Sequence, residues 1–419
     1  MLRSLSVRVL IALILGLALG AAAAAFAGPG VKQAIGIVES VGGLWLNALR
    51  MTVVPLIFAV LVVGIAGVAD AAATGRLAVK TIVLIVAALT FSSIYTVLFA
   101  EGFYALWPVS SAGAAALRVG ASAAPDLARQ APNLIDFIKG LAPPNAVKAA
   151  AEDSILPLVV FASFFGFAVT RLAEARRKAM LEFFDSVSEA MVTIVRWVLL
   201  AAPVGVFALG LGVGLRAGIG AAGEIGHYVA AISLTNISLT VVAALAAMLV
   251  GRVPLGVWTR AVAPVQVAAF ATQSSLACLP AMIERSRDDL GIPDRVSGLV
   301  LPLAVALFRF TGPAANLGVA LFVARVYGFH PTFAEYVGVV AVAVATSLAS
   351  VSLPGQLSFF ASIAPLCLTL GLPVDLLPIL IAVEVIPDIF RTIGNVTADM
   401  AITKMLANSE AAGAETATA

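Results

Sequence analysis

The sequence predicts an all-α polytopic membrane protein, and three observations support this fold class. Of the 419 residues, 61% are hydrophobic and the mean hydropathy is +1.07, which is more apolar surface than a soluble chain of this size can bury. The charged residues lie between long apolar blocks, as they do between membrane spans. The 25 basic and 23 acidic residues nearly cancel, so no attraction to nucleic acid is expected. The lipid bilayer is therefore the predicted partner.

Apolar blocks long enough to cross a bilayer fill the first part of the chain. The first block also has the features of a signal peptide, because it ends in small residues, but its length favours a retained span. The blocks fall at about 5–27, 43–69, 80–107, 133–173, 179–215 and 226–251.

Basic residues at the ends of these blocks predict the orientation in a cell inner membrane. They fall on one side if the spans alternate, so both termini are expected in the cytoplasm. The segment 108–153 is long and balanced in charge, and we place it outside. The basic residues concerned are Arg3, Arg8, Arg76, Lys80, Arg171, Arg176, Arg177, Lys178, Arg252 and Arg260.

Two apolar runs in the last third are interrupted by small and polar residues, at 272-TQSSLACLP-280 and 350-SVSLPGQLS-358. Each half is too short to span about 30 Å of hydrocarbon at about 1.5 Å per residue. Paired, interrupted segments of this kind are typical of transporter binding sites. They predict two re-entrant hairpins, although an ordinary proline-kinked helix is the alternative for either segment.

The stretch 387-PDIFRTIGNVTAD-399 concentrates polar residues in an apolar region. A helix over 372–408 places them within an arc of about 100°, so they should face a bundle interior or a wet cavity. Arg391 matches a carboxylate and Asp388 matches an ammonium group, which together suit an acidic amino acid. Alternatively, the two neutralise each other as an i,i+3 pair. The polar stripe comprises Asp388, Arg391, Thr392, Asn395 and Asp399.

The sequence RTIGNVTAD, with Asp388 before it, resembles the last-helix signature of the glutamate transporter family, the dicarboxylate/amino acid:cation symporters. Other stretches are similar to the second, fourth and fifth spans of that family and to its two hairpin tips. These stretches are MTVVPLIFAVLVVGIAGV (51–68), ILPLVVFASFFGFAVTRL (155–172), APVGVFALG (202–210), AFATQSSLACLP (269–280) and VSLPGQ (351–356).

The resemblance implies eight transmembrane helices plus two re-entrant helical hairpins, divided into scaffold and transport domains of a homotrimer. Scaffold helices 1–2 would occupy 1–75, and the extracellular segment with scaffold helices 4–5 would occupy 108–220. The transport domain would comprise helix 3 (76–107) and 221–408, followed by a disordered tail at 409–419. Within 221–408 helix 6 would be followed by hairpin 1 at about 253–290, helix 7 at 292–327, hairpin 2 at 332–370 and helix 8 at 372–408.

The resemblance also implies a substrate site. Arg391 would hold the distal carboxylate and Asp388 the amino group, with Thr392 and Asn395 completing the pocket. Asn395 and Asp399 would contribute to a sodium site, and no cofactor is expected to bind tightly. Backbone groups of the two hairpin tips, at 274–275 and 351–355, would hold the main carboxylate. The substrate-site residues expected in the hairpins are Gln273, Ser274, Ser275, Ser352, Pro354 and Gly355.

The chain departs from the family at its sodium ligands. The family has Asn-Met-Asp-Gly-Thr in the seventh helix, where 308–312 here reads FRFTG. A Tyr-Thr-Ser set in the third span is replaced by Ile85, Ala88 and Leu89. Because sodium prefers several oxygen ligands, the remaining site is expected to be weak.

Arg309 lies where relatives bind a mobile cation, and three roles are open to it. It could replace sodium by neutralising Asp399, or contact the substrate, since Gln273 stands where some relatives carry an arginine, or face lipid headgroups. The coupling ion is then Na⁺ or H⁺, with Glu384 as a candidate proton carrier.

The predicted function is secondary active transport of acidic amino acids such as aspartate and glutamate, or of dicarboxylates, with altered cation coupling. The alternatives are a proton-coupled or uncoupled exchanger of another anion, a transport-dead substrate sensor, or an anion channel. An enzyme is not expected, because no nucleophile-base or metal-binding constellation is recognisable in the sequence.

Overall fold

The computed structural model describes residues 5–73, 75–120, 143–152, 155–217, 220–349 and 355–418, and these residues form helices and no strand. In the first half, the helices are α1 (Leu5–Phe26), α2 (Pro29–Arg50), α3 (Val53–Ala73), α4 (Arg76–Leu106), α5 (Ser111–Gly120), α6 (Ala146–Ala151), α7 (Ile155–Val169), α8 (Glu174–Leu200) and α9 (Ala202–Ala217). In the second half they are α10 (Gly220–Leu249), α11 (Leu255–Thr272), α12 (Ser275–Asp288), α13 (Asp294–Leu307), α14 (Gly312–Val326), α15 (Phe333–Ala349), α16 (Gly355–Thr369), α17 (Leu377–Leu380) and α18 (Val385–Thr418).

Three stretches of the described chain are helical, long and apolar enough to cross a membrane: Arg76–Leu106, Gly223–Leu249 and Asp294–Val326. The pair α8 and α9 adds a fourth if it is one span, bent by 59°. Several shorter apolar helices accompany them, including Ile11–Phe26 and Phe333–Leu348. The all-helical membrane class is therefore supported, and the number of spans stays a prediction.

Glycines bring α1 and α9 close together. A methyl group added to Gly16 would lie 2.6 Å from the carbonyl oxygen of Phe207, and one on Gly20 would overlap the backbone of Leu211. Small residues at helix crossings let backbones approach closely in membranes, where packing drives helix association. The α1–α9 contact therefore depends on the absence of side chains at these positions.

The predicted helix at 292–327 is present as one membrane-spanning stretch, Asp294–Val326, but it is not continuous. It is broken at 308–311, between α13 and α14, and Arg309 lies in this break rather than in mid-helix. Pro313 follows in the first turn of α14. Proline has no amide hydrogen and suits a helix start, so its position favours a new helix here.

The structure also differs from the last predicted helix, 372–408, at both ends of that helix. The short helix α17 precedes it, turns occupy 381–384, and α18 begins only at Val385. The predicted disordered tail is wrong for 409–418, which continue α18. Alanine-rich sequence favours helix, and Glu410 holds this end through an ion pair with Lys80.

The first interrupted run forms two short helices in contact, α11 and α12, joined at Gln273 and Ser274. Gln273 has a left-handed backbone (φ 49°), and the Ser274 hydroxyl oxygen accepts a hydrogen bond from the amide of Ala277. A continuous proline-kinked helix is therefore excluded for this run. The second run forms α15 and α16, which are also in contact, but the tip at 350–354 lies outside the described residues.

Candidate functional site

The guanidinium of Arg391 is buried near the start of α18, between two acids. One terminal nitrogen donates to Asp388 Oδ1 at 3.1 Å, and the other donates to a carboxylate oxygen of Glu384. The Nε of Arg391 is buried without a hydrogen-bond partner among the described residues. The i,i+3 pair between Asp388 and Arg391 is thus formed in this conformation, and Glu384 extends it to a cluster of three charges.

Tyr228 on α10 completes this cluster. Its hydroxyl group donates a 2.6 Å hydrogen bond to the second carboxylate oxygen of Glu384, and both residues are buried. Sequence reasoning missed Tyr228, because it lies in an apolar block without a polar stripe. The one signal in the sequence was the tyrosine itself, because a buried tyrosine hydroxyl usually has a hydrogen-bond partner.

The helix break at 308–311 is tied to α18 by Thr311. Its amide donates to Asn395 Oδ1 at 3.0 Å, and its hydroxyl lies 2.7 Å from the Arg391 carbonyl and 2.8 Å from Asn395 Oδ1. Close approach is required here, since a Cβ on Gly394 would overlap Thr311. Thr311 was a site residue that sequence reasoning passed over, although it lies in the altered motif. Thr392 donates back to the Asp388 carbonyl at 2.9 Å.

Asp399 is fully buried about three turns beyond Asp388 on α18, and neither carboxylate oxygen has a hydrogen-bond partner among the described residues. Neutralisation of Asp399 was one of three open roles for Arg309, and in this conformation the two residues make no hydrogen bond to each other. Arg309, partly buried in the break, nevertheless interacts electrostatically with Asp399, Asp388 and Arg391. Its guanidinium supplies positive charge to this region without a hydrogen bond to Asp399.

The positions at which the resemblance implies lost sodium ligands are packed as an apolar cluster. Ile85 and Leu89 of α4 are fully buried against the same cluster as Phe308 and Phe310 at the helix break. Ser92 of α4 also reaches this break, where its hydroxyl donates to the Phe310 carbonyl at 2.5 Å. Hydrophobic side chains from α4 and from the helix break thus pack together at these positions.

The first hairpin packs on α18 but does not reach Arg391 in this conformation. Gln266 of α11 donates to Thr397 at 2.9 Å, whereas the hydrogen bonds of Ser274 stay within the tip. Neither Gln273 nor Ser275 has a hydrogen bond to the Arg391 cluster within the described part of the chain. Two predicted site residues, Ser352 and Pro354, lie outside the described residues, and Gly355 begins α16.

Comparison with known proteins decides the family. A family model described as the sodium:dicarboxylate symporter family matches residues 5–409. The chain belongs to this family. Its members are transporters and not enzymes, which confirms both the resemblance and the exclusion of an enzyme.

Relatives in this family have related descriptions. The chain is 28% identical to a proton/glutamate-aspartate symporter of Escherichia coli, over 96% of this chain and 92% of that protein. It is 27% identical to a proton/sodium-glutamate symport protein of Bacillus subtilis, over 86% and 83% of the two chains. It is 31% identical to a C4-dicarboxylate transport protein of Rhodopseudomonas palustris, over 82% and 74%.

Proposed function

We propose that this chain is a secondary active transporter of acidic amino acids such as aspartate and glutamate, with C4-dicarboxylates as a second substrate class. The observation that carries the proposal is the buried Arg391 guanidinium with Asp388 one turn before it on α18. A buried guanidinium binds a carboxylate through parallel hydrogen bonds, and a buried carboxylate binds an ammonium group. The relatives described as glutamate-aspartate and C4-dicarboxylate carriers support both substrate classes.

Substrate binding requires an exchange of partners at Arg391. Glu384 and Asp388 occupy its terminal nitrogens, while its Nε is unpartnered. The substrate's distal carboxylate replaces Glu384 as a partner of Arg391. The substrate's amino group replaces Arg391 as the partner of Asp388. Breaking a charge-assisted hydrogen bond costs about 1.5–3 kcal/mol, which a bidentate carboxylate restores. Plain dicarboxylates bind Arg391 but leave Asp388 without an ammonium partner, so we expect them to bind more weakly.

The proposed coupling ion is a proton, carried by Glu384. Once displaced from Arg391, a buried carboxylate has lost its compensating charge and takes up a proton more readily. Apolar packing of Ile85, Leu89, Phe308 and Phe310 argues against full sodium sites. Asp399 with Asn395 remains as a weakened sodium site, and the relatives described as proton or proton/sodium symporters are compatible with either ion.

The proposed architecture follows the family resemblance. Eight transmembrane helices and two re-entrant hairpins would form scaffold and transport domains of a homotrimer in the bacterial inner membrane, with both termini cytoplasmic. Transport would occur by an elevator movement of the transport domain. The mass of the purified protein by native mass spectrometry tests the trimer.

Uptake into proteoliposomes tests the function. We expect saturable L-aspartate uptake driven by an inwardly directed proton gradient, and loss of at least 100-fold in aspartate affinity in Arg391→Gln, roughly 3 kcal/mol for a buried charge pair. Arg287→Gln is the matched control, since Arg287 is exposed and pairs with its neighbour Asp288. Aspartate binding without counterflow exchange would indicate a sensor instead, and flux that does not saturate would indicate a channel.

A further inference from the structure

A cavity of about 440 Å³ lies between α7 and α8, at the turn that joins them. Its walls are apolar except for one guanidinium, which belongs to Arg176. The volume is within the roughly 300–1,000 Å³ of small-molecule sites. The apolar lining residues are Phe165, Ala168, Val169, Leu172, Ala179 and Met180.

The rim of this cavity is strongly basic. Residues 171–178 contain four basic side chains and one acid, Glu174. Arg171, Arg176 and Lys178 are exposed, and Lys178 makes a long, exposed ion pair with Glu182, 3.8 Å between Nζ and Oε1. Exposed pairs of this kind contribute little, so Lys178 can act on a ligand together with the exposed Arg171 and Arg176.

Apolar walls together with a basic rim favour one chemical class of ligand. An apolar solute leaves the basic rim without a role, and a small hydrophilic anion gains nothing from apolar walls. Basic pockets between membrane helices bind anionic lipid headgroups, and each basic residue near such a surface contributes about 1 kcal/mol. We propose that the α7–α8 cavity binds an anionic phospholipid, with an acyl chain against the apolar walls and the phosphate at Arg176.

This site is separate from the transport site. The residues of the cavity lie on α7, α8 and their connection, whereas the Arg391 cluster is built by α10, α18 and the turn before α18. The proposal therefore stands or falls independently of substrate and coupling ion.

Native mass spectrometry of the full chain tests the proposal, with phosphatidylglycerol and phosphatidylcholine as probes. We expect phosphatidylglycerol to bind in preference to phosphatidylcholine. Arg176→Gln should weaken phosphatidylglycerol binding about fivefold, the effect of one basic residue. Ala179→Trp, which fills the cavity without changing charge, should weaken the binding of both lipids. Arg260→Gln, an exposed arginine of α11 away from the cavity, is the matched control and should bind like the unchanged chain.

Three results would overturn the proposal. Equal weakening in Arg260→Gln would show a general effect of charge. Displacement of phosphatidylglycerol by millimolar glycerol phosphate would show that a free phosphate, and not a lipid, is the ligand. A changed oligomeric mass in Ala179→Trp with unchanged lipid binding would show that a second copy of the chain covers the cavity. Circular dichroism of each variant confirms that it is folded.

Discussion

At the scale of single residues, the proposed site for substrate and ion is a buried cluster of charges at the start of α18. Arg391 is bonded to Glu384 and Asp388, and Tyr228 bonds the free oxygen of Glu384. The sequence predicted the polar residues of α18 because they recur at helical spacing. It could not predict Tyr228, because the contact joins residues 156 positions apart.

Glu384→Gln should abolish the dependence of aspartate binding on pH. It should also tighten that binding about tenfold or more, because a charge-assisted hydrogen bond of about 1.5–3 kcal/mol no longer competes with the substrate. In the unchanged chain, lower pH should favour binding, since displaced Glu384 takes up a proton. Calorimetric titration at several pH values measures both effects. Tyr228→Phe is the control: it keeps the charge of Glu384, so its pH dependence should persist. Unaltered pH dependence in Glu384→Gln would contradict its role as proton carrier.

Arg309→Gln should destabilise the protein by about 3 kcal/mol, because buried Asp399 loses a compensating positive charge. Sodium should restore part of this stability in the variant, whereas exchanging sodium for choline should leave the unchanged chain unaffected. Thermal unfolding in detergent measures both. The double change Arg309→Gln with Asp399→Asn removes both charges and should recover most of the loss. Equal stability of Arg309→Gln and the unchanged chain would show that Arg309 does not compensate Asp399.

At the scale of helices, the residues at which helices begin and end depend on side-chain contacts that the pattern of apolar residues does not show. The blocks predicted the existence of most helices, since hydrophobic runs of spanning length are a composition signal. The breaks before α14 and α18 were missed, because neither 308–311 nor 381–384 itself contains a glycine or proline that would mark a helix end. Tertiary bonds from Thr311 to Asn395 satisfy the backbone at the first break, and such partners are not visible in the local sequence.

The α1–α9 contact gives a prediction at this scale. Gly16→Ala should lower the free energy of unfolding by about 1–3 kcal/mol, because its methyl group would meet the backbone of α9. Gly36→Ala on α2 is the matched control. No atom lies within 4 Å of its added Cβ, so it should be neutral or stabilising by up to about 1 kcal/mol. Apparent melting temperatures in detergent compare them, and equal shifts would contradict a glycine-dependent crossing.

At the scale of the whole molecule, ion pairs fasten the far end of α18 to two other helices. Glu410 accepts a 2.7 Å hydrogen bond from Lys80 of α4 and lies 3.5 Å from Arg295 of α13. The hydrogen bond from Lys80 is the main cause that lowers the pKa of Glu410 from its ordinary value. Nearby, Lys404 and Asn408 donate to the carbonyls of Leu290 and Gly251.

Because the folded pKa of Glu410 is lowered, this attachment is complete above the ordinary carboxyl pKa of about 4.3 and is lost as pH falls below it. Amide hydrogen exchange over 409–418 should therefore be slow at pH 7 and speed up several-fold, beyond the intrinsic pH effect, only in strong acid. Glu410→Gln should show the fast exchange already at pH 7. Glu182→Gln, which removes an exposed carboxylate paired with Lys178, is the control and should not change exchange in this segment. Slow exchange in Glu410→Gln would show that packing alone holds the helix end.

By itself, the sequence determined the helical membrane class, the family and the polar stripe of α18, because composition and helical spacing are local properties. Only the tertiary structure decided that Arg391 is bonded to Glu384 and that Asp399 has no hydrogen bond to Arg309. It also decided that apolar side chains from α4 and the α13–α14 break pack against each other. These outcomes depend on which side chains from distant segments meet in three dimensions. The spacing of residues along one helix does not show which side chains of other segments they will contact.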